Sequence, residues 1–323
     1  MDTRKPLVSF ILAYYNLPVQ MLCECIDSIL ALSLTADERE IIVVDDGSKV
    51  SPMNGLMQYG DDIIYVRQKN QGLSVARNTG IEMATGRYLQ FVDADDCLLK
   101  VPYDYCLKLL QNHSDADMVM FDFTSTNESG QPMPDDVSCT TGVQLLRHHN
   151  IHGTAWGYLF KKNVLGTLRF TPGIYHEDEE FTPLLLIRAN HVYTTHAKAY
   201  YYRRRPHSIT MDTDEATRQK RHDDRLGVIL RLRETCDRIA SDERMALQRR
   251  VAQLTMDYLY HIIVEDRSVQ KLSQCIERLR QEGLFPLPNH HYTQKYAWFR
   301  TLTNHALGRQ LLIHALPLLK KER

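Results

Sequence analysis

Tyr88 to Leu98 reads YLQFVDADDCL. A strand-like apolar run (Tyr88, Leu89, Phe91, Val92) ends at once in three carboxylates, Asp93, Asp95 and Asp96. Like charges held this close repel, and burying them is costly unless something neutralises them. A divalent cation does so, because hard cations prefer carboxylate oxygen. In an open α/β sheet, ligands sit just beyond the carboxyl ends of the strands. Asp93-Ala94-Asp95 therefore reads as an acid-x-acid metal clamp for a phosphorylated ligand. The same spacing also fits a polar turn that caps the next helix, since acidic turns are common. The rest of the chain has to separate the two.

Upstream, Leu7 to Leu12 is a compact β-type run. Val19 to Leu32 carries Leu22, Cys25, Ile26, Ile29 and Leu30 at helical spacing. Ile41 to Val44 is aliphatic without alternation, as in a strand covered on both faces. Ile63 to Val66 is a third strand, Gln71 to Ala84 a second helix closed by Gly86, and Tyr88 to Val92 a fourth strand. Alternating strands and helices imply a mainly parallel α/β sheet flanked by helices, a Rossmann-like, nucleotide-binding type of layer.

Downstream, Pro102 to Asn112 reads as a helix and Met118 to Phe123 as a strand. Asn127 to Ser138 is polar and rich in Pro, Gly and Ser, hence an exposed loop. Short helical pieces, Gly142 to His149 and Asn163 to Leu168, surround Trp156. Glu177 to Arg188 opens with acids and turns apolar, a helix whose Pro183 sits in the first turn or bends it. Val192 to Thr195 and Ala199 to Tyr202 read as strands, followed by a basic loop, YRRRPHSIT, from Tyr202 to Thr210. After Asp214 the β-branched runs give way to helical patterns: Arg225 to Ile239, Met245 to Val264, Val269 to Arg280 and Tyr296 to Leu319. The expected organisation is a catalytic α/β domain over residues 1–214 and a C-terminal α-helical region over 215–323.

The bulk numbers narrow the partners. With 323 residues, 43% hydrophobic and 24% charged, the chain has the balance of a soluble globular protein. A formal net charge of −1 gives no global field for nucleic acid or an anionic membrane. The N-terminus reads as a first strand and not a signal peptide, and no apolar stretch has the length of a membrane span. Seven cysteines, an odd number with no C-x-x-C pair, fit free thiols in a reducing cytoplasm.

Four constellations carry the chemistry. IIVVDDGS (Ile41 to Ser48) ends a strand in acids that can accept hydrogen bonds from a base or ribose, or that simply make a turn. Asn70-Gln71-Gly72, followed by Ala76-Arg77-Asn78, combines close backbone approach at Gly72 with an arginine able to reach a phosphate or an acid. The third is Asp93 to Asp96. The fourth is His176-Glu177-Asp178 before Phe181, with the Arg203 to His207 loop behind it.

In this order the four resemble the family 2 glycosyltransferases of the A-type fold. The matching text is VSFILAYYN (Val8 to Asn16), EIIVVDDGS (Glu40 to Ser48), NQGLSVARNTGIEMATGRYLQFVDADD (Asn70 to Asp96), HEDEEF (His176 to Phe181) and YRRRPHSIT, over about the first 210 residues. Ala13 stands where many members carry proline. The resemblance implies a nucleotide-diphosphate-sugar donor, UDP by family habit, with Mn2+ or Mg2+ and usually inversion at the anomeric carbon. It implies base and ribose contacts from Asp45 and Asp46, and further donor contacts from Asn70, Gly72 and Arg77. Asp93 and Asp95 would form the acid-x-acid element, with Asp95 the likelier direct ligand. Asp178 would be the general base with Glu177 its neighbour. His207 would lie near the diphosphate and the metal, with Arg203, Arg205 or Ser208 also touching the diphosphate. The acceptor would be a saccharide or a lipid-linked saccharide.

Plainer readings stand beside these. His176 fits a helix cap. Trp156 and Tyr158 fit a core better than an acceptor platform. Arg203 to Arg205 also fits a solvated face, and Arg77 a structural partner for an acid inside the site. The apolar tail His305 to Arg323, with its basic end, fits either peripheral contact with the inner membrane face or, better, a packed helix broken at Pro317. Two other functions fit the acids less well. A nucleotidyltransferase would more usually carry a Gly-rich basic loop where Ala13-Tyr14-Tyr15-Asn16 stands, and a non-catalytic nucleotide-sugar-binding partner would not need every acid retained.

Overall fold

The computed structural model describes residues 5–126, 136–205 and 214–319. It divides into two units, one of Met1–Gly142 with His152–Asp212, the other of Val143–Ile151 with Thr213–Arg323.

Among the described residues the first unit is built on nine strands: β1 (Val8–Tyr14), β2 (Arg39–Asp45), β3 (Ile64–Arg67), β4 (Tyr88–Asp93), β5 (Cys97–Leu98), β6 (Met118–Thr124), β7 (Val137–Thr140), β8 (Tyr158–Lys161) and β9 (Val192–Tyr201). The helices in chain order are α1 (Val19–Leu30), α2 (Met53–Leu56), α3 (Leu73–Met83), α4 (Lys100–Asn112), α5 (Gly142–His148), α6 (Lys162–Leu165) and α7 (Glu177–Leu186), then α8 (Glu215–Cys236), α9 (Ser241–His261), α10 (Val269–Gln281), α11 (Gln294–Asn304) and α12 (Ala306–Leu319).

The strand order is β3-β2-β1-β4-β8-β6-β9-β5, with β7 also on β9. The expected parallel half is there: β1 pairs in parallel with both β2 and β4, and β2 with β3. The inner strands β1, β2 and β4 are largely apolar because helices cover both faces, while the edge strand β3 is part-exposed. Phe10, Leu12, Ile41 and Val43 are wholly buried, and so is Leu22 on α1. Beyond β4 the sheet becomes mixed. β8 is antiparallel to β4 and β6, β9 is parallel to β6, and β5 and β7 are antiparallel to β9. Sequence periodicity misses β8, because three apolar residues running straight into Lys161-Lys162 are too short a run to carry a strand signature of their own. β9 is one strand where the sequence suggests two. Its register against β6 shifts between Met120 and Phe123, and the extra residues leave His196 and Lys198 on the surface. Val137 and Ser138 belong to β7 and not to a loop, while residues 127–135 lie outside the described residues.

The helical unit gathers α5 with α8 to α12. Sequence order alone assigns α5 to the first domain, but Arg249 on α9 claims it. The Arg249 guanidinium donates to the Leu146 carbonyl at 2.9 Å, to the Asn150 side chain at 2.7 Å and to the His149 carbonyl. The predicted helix Tyr296 to Leu319 is two helices. The chain is extended at His305, and Gly308 packs so closely on the Leu302 carbonyl that a Cβ would stand 2.2 Å from it. Pro317 does not end α12, which runs to Leu319. Leu312, Ile313 and Leu316 are buried, while Leu307, Leu311 and Leu318 stay exposed. No described helix is long and apolar enough to cross a membrane.

The contact that positions the site is α3 on β1. A Cβ on Gly80 would lie 2.2 Å from the Ile11 side chain, so only glycine lets the helix settle on the sheet. Gly80→Ala should therefore cost about 1–3 kcal/mol through overpacking. A urea melt reads this directly, and an unchanged midpoint would show that α3 has room to move away.

Candidate active site

The acids at the strand ends meet the protein in different ways. Asp45, at the end of β2, is fully buried. Its carboxylate accepts from the Ser48 amide at 2.8 Å and the Tyr65 hydroxyl at 2.9 Å, and Arg67 lies 3.5 Å away. Asp46 holds the next loop in place. One oxygen accepts from the Gln68 side chain (2.8 Å) and the Gln71 amide (2.9 Å), the other from the Gly72 amide (2.8 Å). Gly72, at φ +91°, then opens α3 in a conformation that favours glycine. Asp45 and Asp46 thus shape the strand-end loop from inside, and Asn70 is exposed on it.

One turn into α3, Arg77 is almost wholly buried. Its guanidinium donates to Asp93 at 2.9 Å and to Glu177 at 2.7 Å, and it lies 5.3 Å over the Phe170 ring. Burial opposes its charge, but Asp93, Glu177 and Asp178 more than reverse that, and its pKa is raised. Arg77 thus joins an acid at the end of β4 to one at the start of α7.

Asp95 pairs with Arg205. Burial and the neighbouring Asp93 raise its pKa, against the pull of Arg205. Asp96 is buried, accepting from the Tyr200 hydroxyl at 2.8 Å and the Arg203 amide at 2.7 Å. Burial, with Asp93 adding to it, takes this carboxyl up to about 8. The Arg203 side chain turns to Glu24 at 2.6 Å, so the structure engages its backbone at the acids and its guanidinium on α1. His207 and Ser208 lie outside the described residues.

Glu177 and Asp178 open α7, whose first turn holds four acids, Glu177 to Glu180. Unpaired amides and the helix dipole make that terminus a favourable place for negative charge. His176 precedes it in a left-handed conformation, φ +64°. Pro183 sits in the second turn. Burial, with Glu177 and Glu179 beside it, raises the Asp178 pKa well above the ordinary carboxylate range. A carboxylate in that state is a stronger base than one in water.

Trp156 and Tyr158 are buried, as the core reading expects. Trp156 stacks on Tyr200 with centroids 4.3 Å apart and planes 12° apart. The Tyr200 hydroxyl also accepts from the Asp93 amide at 3.1 Å, so one tyrosine ties both ends of the Asp93 to Asp96 turn. Sequence reading misses Tyr200, Tyr65 and Glu24. Each lies far along the chain from its partner, and a tyrosine in a strand looks like core.

Residues 9–166 match the family model described as glycosyl transferase family 2. The chain carries a family 2 glycosyltransferase domain. Among curated relatives it is 26% identical over 279 residues to the uncharacterized glycosyltransferase YibD of Escherichia coli K12, covering 81% of this chain and 80% of that one. It is 29% identical over 178 residues to the putative glycosyltransferase EpsH of Bacillus subtilis, covering 51% of this chain and spanning about half (50%) of the relative. The fold is that of Staphylococcus aureus TarS 1-349, solved in complex with UDP-GlcNAc, with a TM-score of 0.71 at 17% identity, covering 98% of this chain and 91% of that one. The mannosyltransferase PcManGT from Pyrobaculum calidifontis, in complex with GDP-Man and Mn2+, aligns with a TM-score of 0.57 at 15% identity, covering 99% and 89%. The chain thus has the A-type architecture that the resemblance implies.

Within this glycosyltransferase, Arg77 bridges acids from two separate elements. Arg77→Met should leave Glu177 buried, and Asp93 half-buried, without that partner and lower stability by about 3 kcal/mol. Adding Glu177→Gln should restore part of the loss, because one orphaned charge disappears. Chemical denaturation of the four-member cycle measures the coupling, and strictly additive losses would mean that the pair does not act as a unit.

Proposed function

We propose that this enzyme transfers a sugar from a nucleoside diphosphate donor, a UDP-sugar, to a saccharide or lipid-linked saccharide, with inversion at the anomeric carbon. The observation that carries this reading is the Arg77 bridge. It holds Asp93 beside Glu177, and so sets Asp178, a carboxylate of raised basicity, close to the acid-x-acid turn. The solved neighbours described as bound to UDP-GlcNAc and GDP-Man support a donor of this chemical class.

Asp93 and Asp95 fit a divalent ion by their chemistry. Both are hard oxygen donors, and burial already raises the Asp95 and Asp96 carboxyls, so the turn holds more negative charge than its surroundings readily accept. Among the described residues no cluster of three His, Cys, Asp or Glu offers a complete metal shell. The diphosphate oxygens and His207 would supply the rest. A bound Mn2+ or Mg2+ would offset the charge that grows on the leaving diphosphate. Asp96 takes no part in this, because its two oxygens serve Tyr200 and Arg203.

Asp45 and Asp46 act on the nucleotide mainly by fixing the loop that Asn70 and Gly72 present, and Arg205 is available to the diphosphate once a metal takes over Asp95. Asp178 takes the proton of the acceptor hydroxyl as it attacks the anomeric carbon, from the face opposite the leaving diphosphate. Inversion follows from that in-line geometry. Glu177, engaged by Arg77, holds its position and leaves Asp178 as the base. The reading places the reaction in the cytoplasm, at the inner membrane face when the acceptor is lipid-linked, with the exposed leucines of α12 as the contact.

Calorimetry with UDP should give metal-dependent binding that Asp95→Ala loses. Failure of the wild type to bind UDP, GDP or any other nucleotide diphosphate, with or without Mn2+, would overturn the donor reading. Asp178→Asn should bind UDP normally and transfer about 10²–10⁴-fold more slowly. Because the base works deprotonated and its pKa is raised, wild-type turnover should climb with pH along a limb above the ordinary carboxylate value of about 4. Wild-type rates in Asp178→Asn would remove it as the base.

A further inference from the structure

Aromatic rings line the sheet edge on one flank of Asp93. β8 is antiparallel to β4 and to β6, and β9 is parallel to β6, so β4, β6 and β9 all end at the same edge. Phe123 is the last residue but one of β6, Tyr202 follows β9, and Trp156 precedes the start of β8, which lies at that edge too. The Phe123 ring stands edge-to-face on Trp156, with centroids 5.2 Å apart at 81°. It lies 6.3 Å from the Tyr202 ring and 6.1 Å from His152. Trp156 in turn stacks on Tyr200, whose hydroxyl binds the Asp93 amide and Asp96. The rings therefore abut the acid turn.

Exposure divides this cluster sharply. Trp156 is 7% exposed and Tyr200 fully buried, but Phe123 is 39% exposed. The cause is local. The register of β6 against β9 shifts between Asp122 and Phe123, and both residues are exposed at the break. Bulges of this kind re-aim side chains next to active sites. The result is a phenyl ring presented to solvent and held rigid from behind by a tryptophan.

The sheet order says what the ring faces. Asp45 and Asp46 end β2 on one side of β4, while β8, β6 and β9 lie on the other. A donor with its nucleotide at Asp46 and its sugar at Asp93 leaves the ring flank to the acceptor. The C–H face of a pyranose is apolar and packs on aromatic rings, while its hydroxyls seek polar groups at the rim, where His152 and Tyr202 stand.

We propose that Phe123, flanked by Tyr202 and His152 and braced by Trp156, is the platform on which a pyranose ring of the acceptor stacks. The assignment rests on the transferase reading above. The full chain is tested on an array of immobilised pyranose oligosaccharides, with and without UDP and Mn2+, and UDP affinity is measured alongside by calorimetry. Wild type should retain a subset of the saccharides. Phe123→Leu keeps the apolar bulk without the ring, and should lose about three- to tenfold in retention. Phe123→Trp should keep it, and UDP affinity should stay within twofold in both variants. Equal retention by Phe123→Leu overturns the platform, as does a wild type that binds UDP but no saccharide. A parallel fall in UDP affinity gives Phe123 to the donor and overturns it as well. If the wild type binds no nucleotide diphosphate, the transferase reading fails by itself. Ring-dependent retention would then still support the platform, and its absence would sink that too.

Discussion

One guanidinium holds this site together. Arg77 reaches from α3 to Asp93 at the end of β4 and to Glu177 at the start of α7; the Glu177 contact is buried and the Asp93 contact half-buried. An arginine suits the task because its planar fork serves two acids at once and keeps its charge when buried. The pairing also constrains what surrounds it. Arg77 serves Asp93 and Glu177, Arg205 pairs with Asp95, and burial beside Glu177 and Glu179 raises the Asp178 pKa. The fold thus gathers Asp93, Asp95, Glu177 and Asp178 around two arginines.

Around that bridge, the neighbouring acids serve as scaffold. Asp46 converts three donors from residues 68 to 72 into a fixed loop, and Asp96 ties Tyr200 to the Arg203 amide. The acids between positions 93 and 96 thus divide between building the turn, as Asp96 does, and pairing with arginines, as Asp93 and Asp95 do. Tyr200 makes the division, since its hydroxyl fixes Asp96 and takes the amide of Asp93, leaving the Asp93 carboxylate to the buried Arg77 and the Asp95 carboxylate to the part-exposed Arg205. Trp156 braces that tyrosine from behind. Removing the stack would loosen the acids without touching any of them.

Much of this was legible in the chain itself. Aliphatic runs that stop at acids locate β2 and β4 and their acidic carboxyl ends, because strand periodicity and charge are local properties. The order of VVDDGS, NQG, DADD and HEDEEF names the family. The helical texture after Asp214 marks α8 to α11, since apolar spacing within one helix needs no partner to be read. Burial of Trp156 and Tyr158 also follows from residue type alone.

What only the tertiary structure decided is who meets whom. Arg77 and Glu177 are 100 positions apart, and Tyr200 and Asp96 are 104 apart. No spacing rule links such pairs, because chain reversals and crossovers bring them together. β8 is recognised as a strand only by its neighbours β4 and β6, and α5 joins the helical unit only through Arg249. The outward turn of Phe123 has the same origin. An alternating strand would place it by parity, and a register shift against β9, formed some 70 residues later in the chain, reverses the outcome. Local sequence sets what each element is. Long-range packing sets which charges are cancelled and which are left to do chemistry.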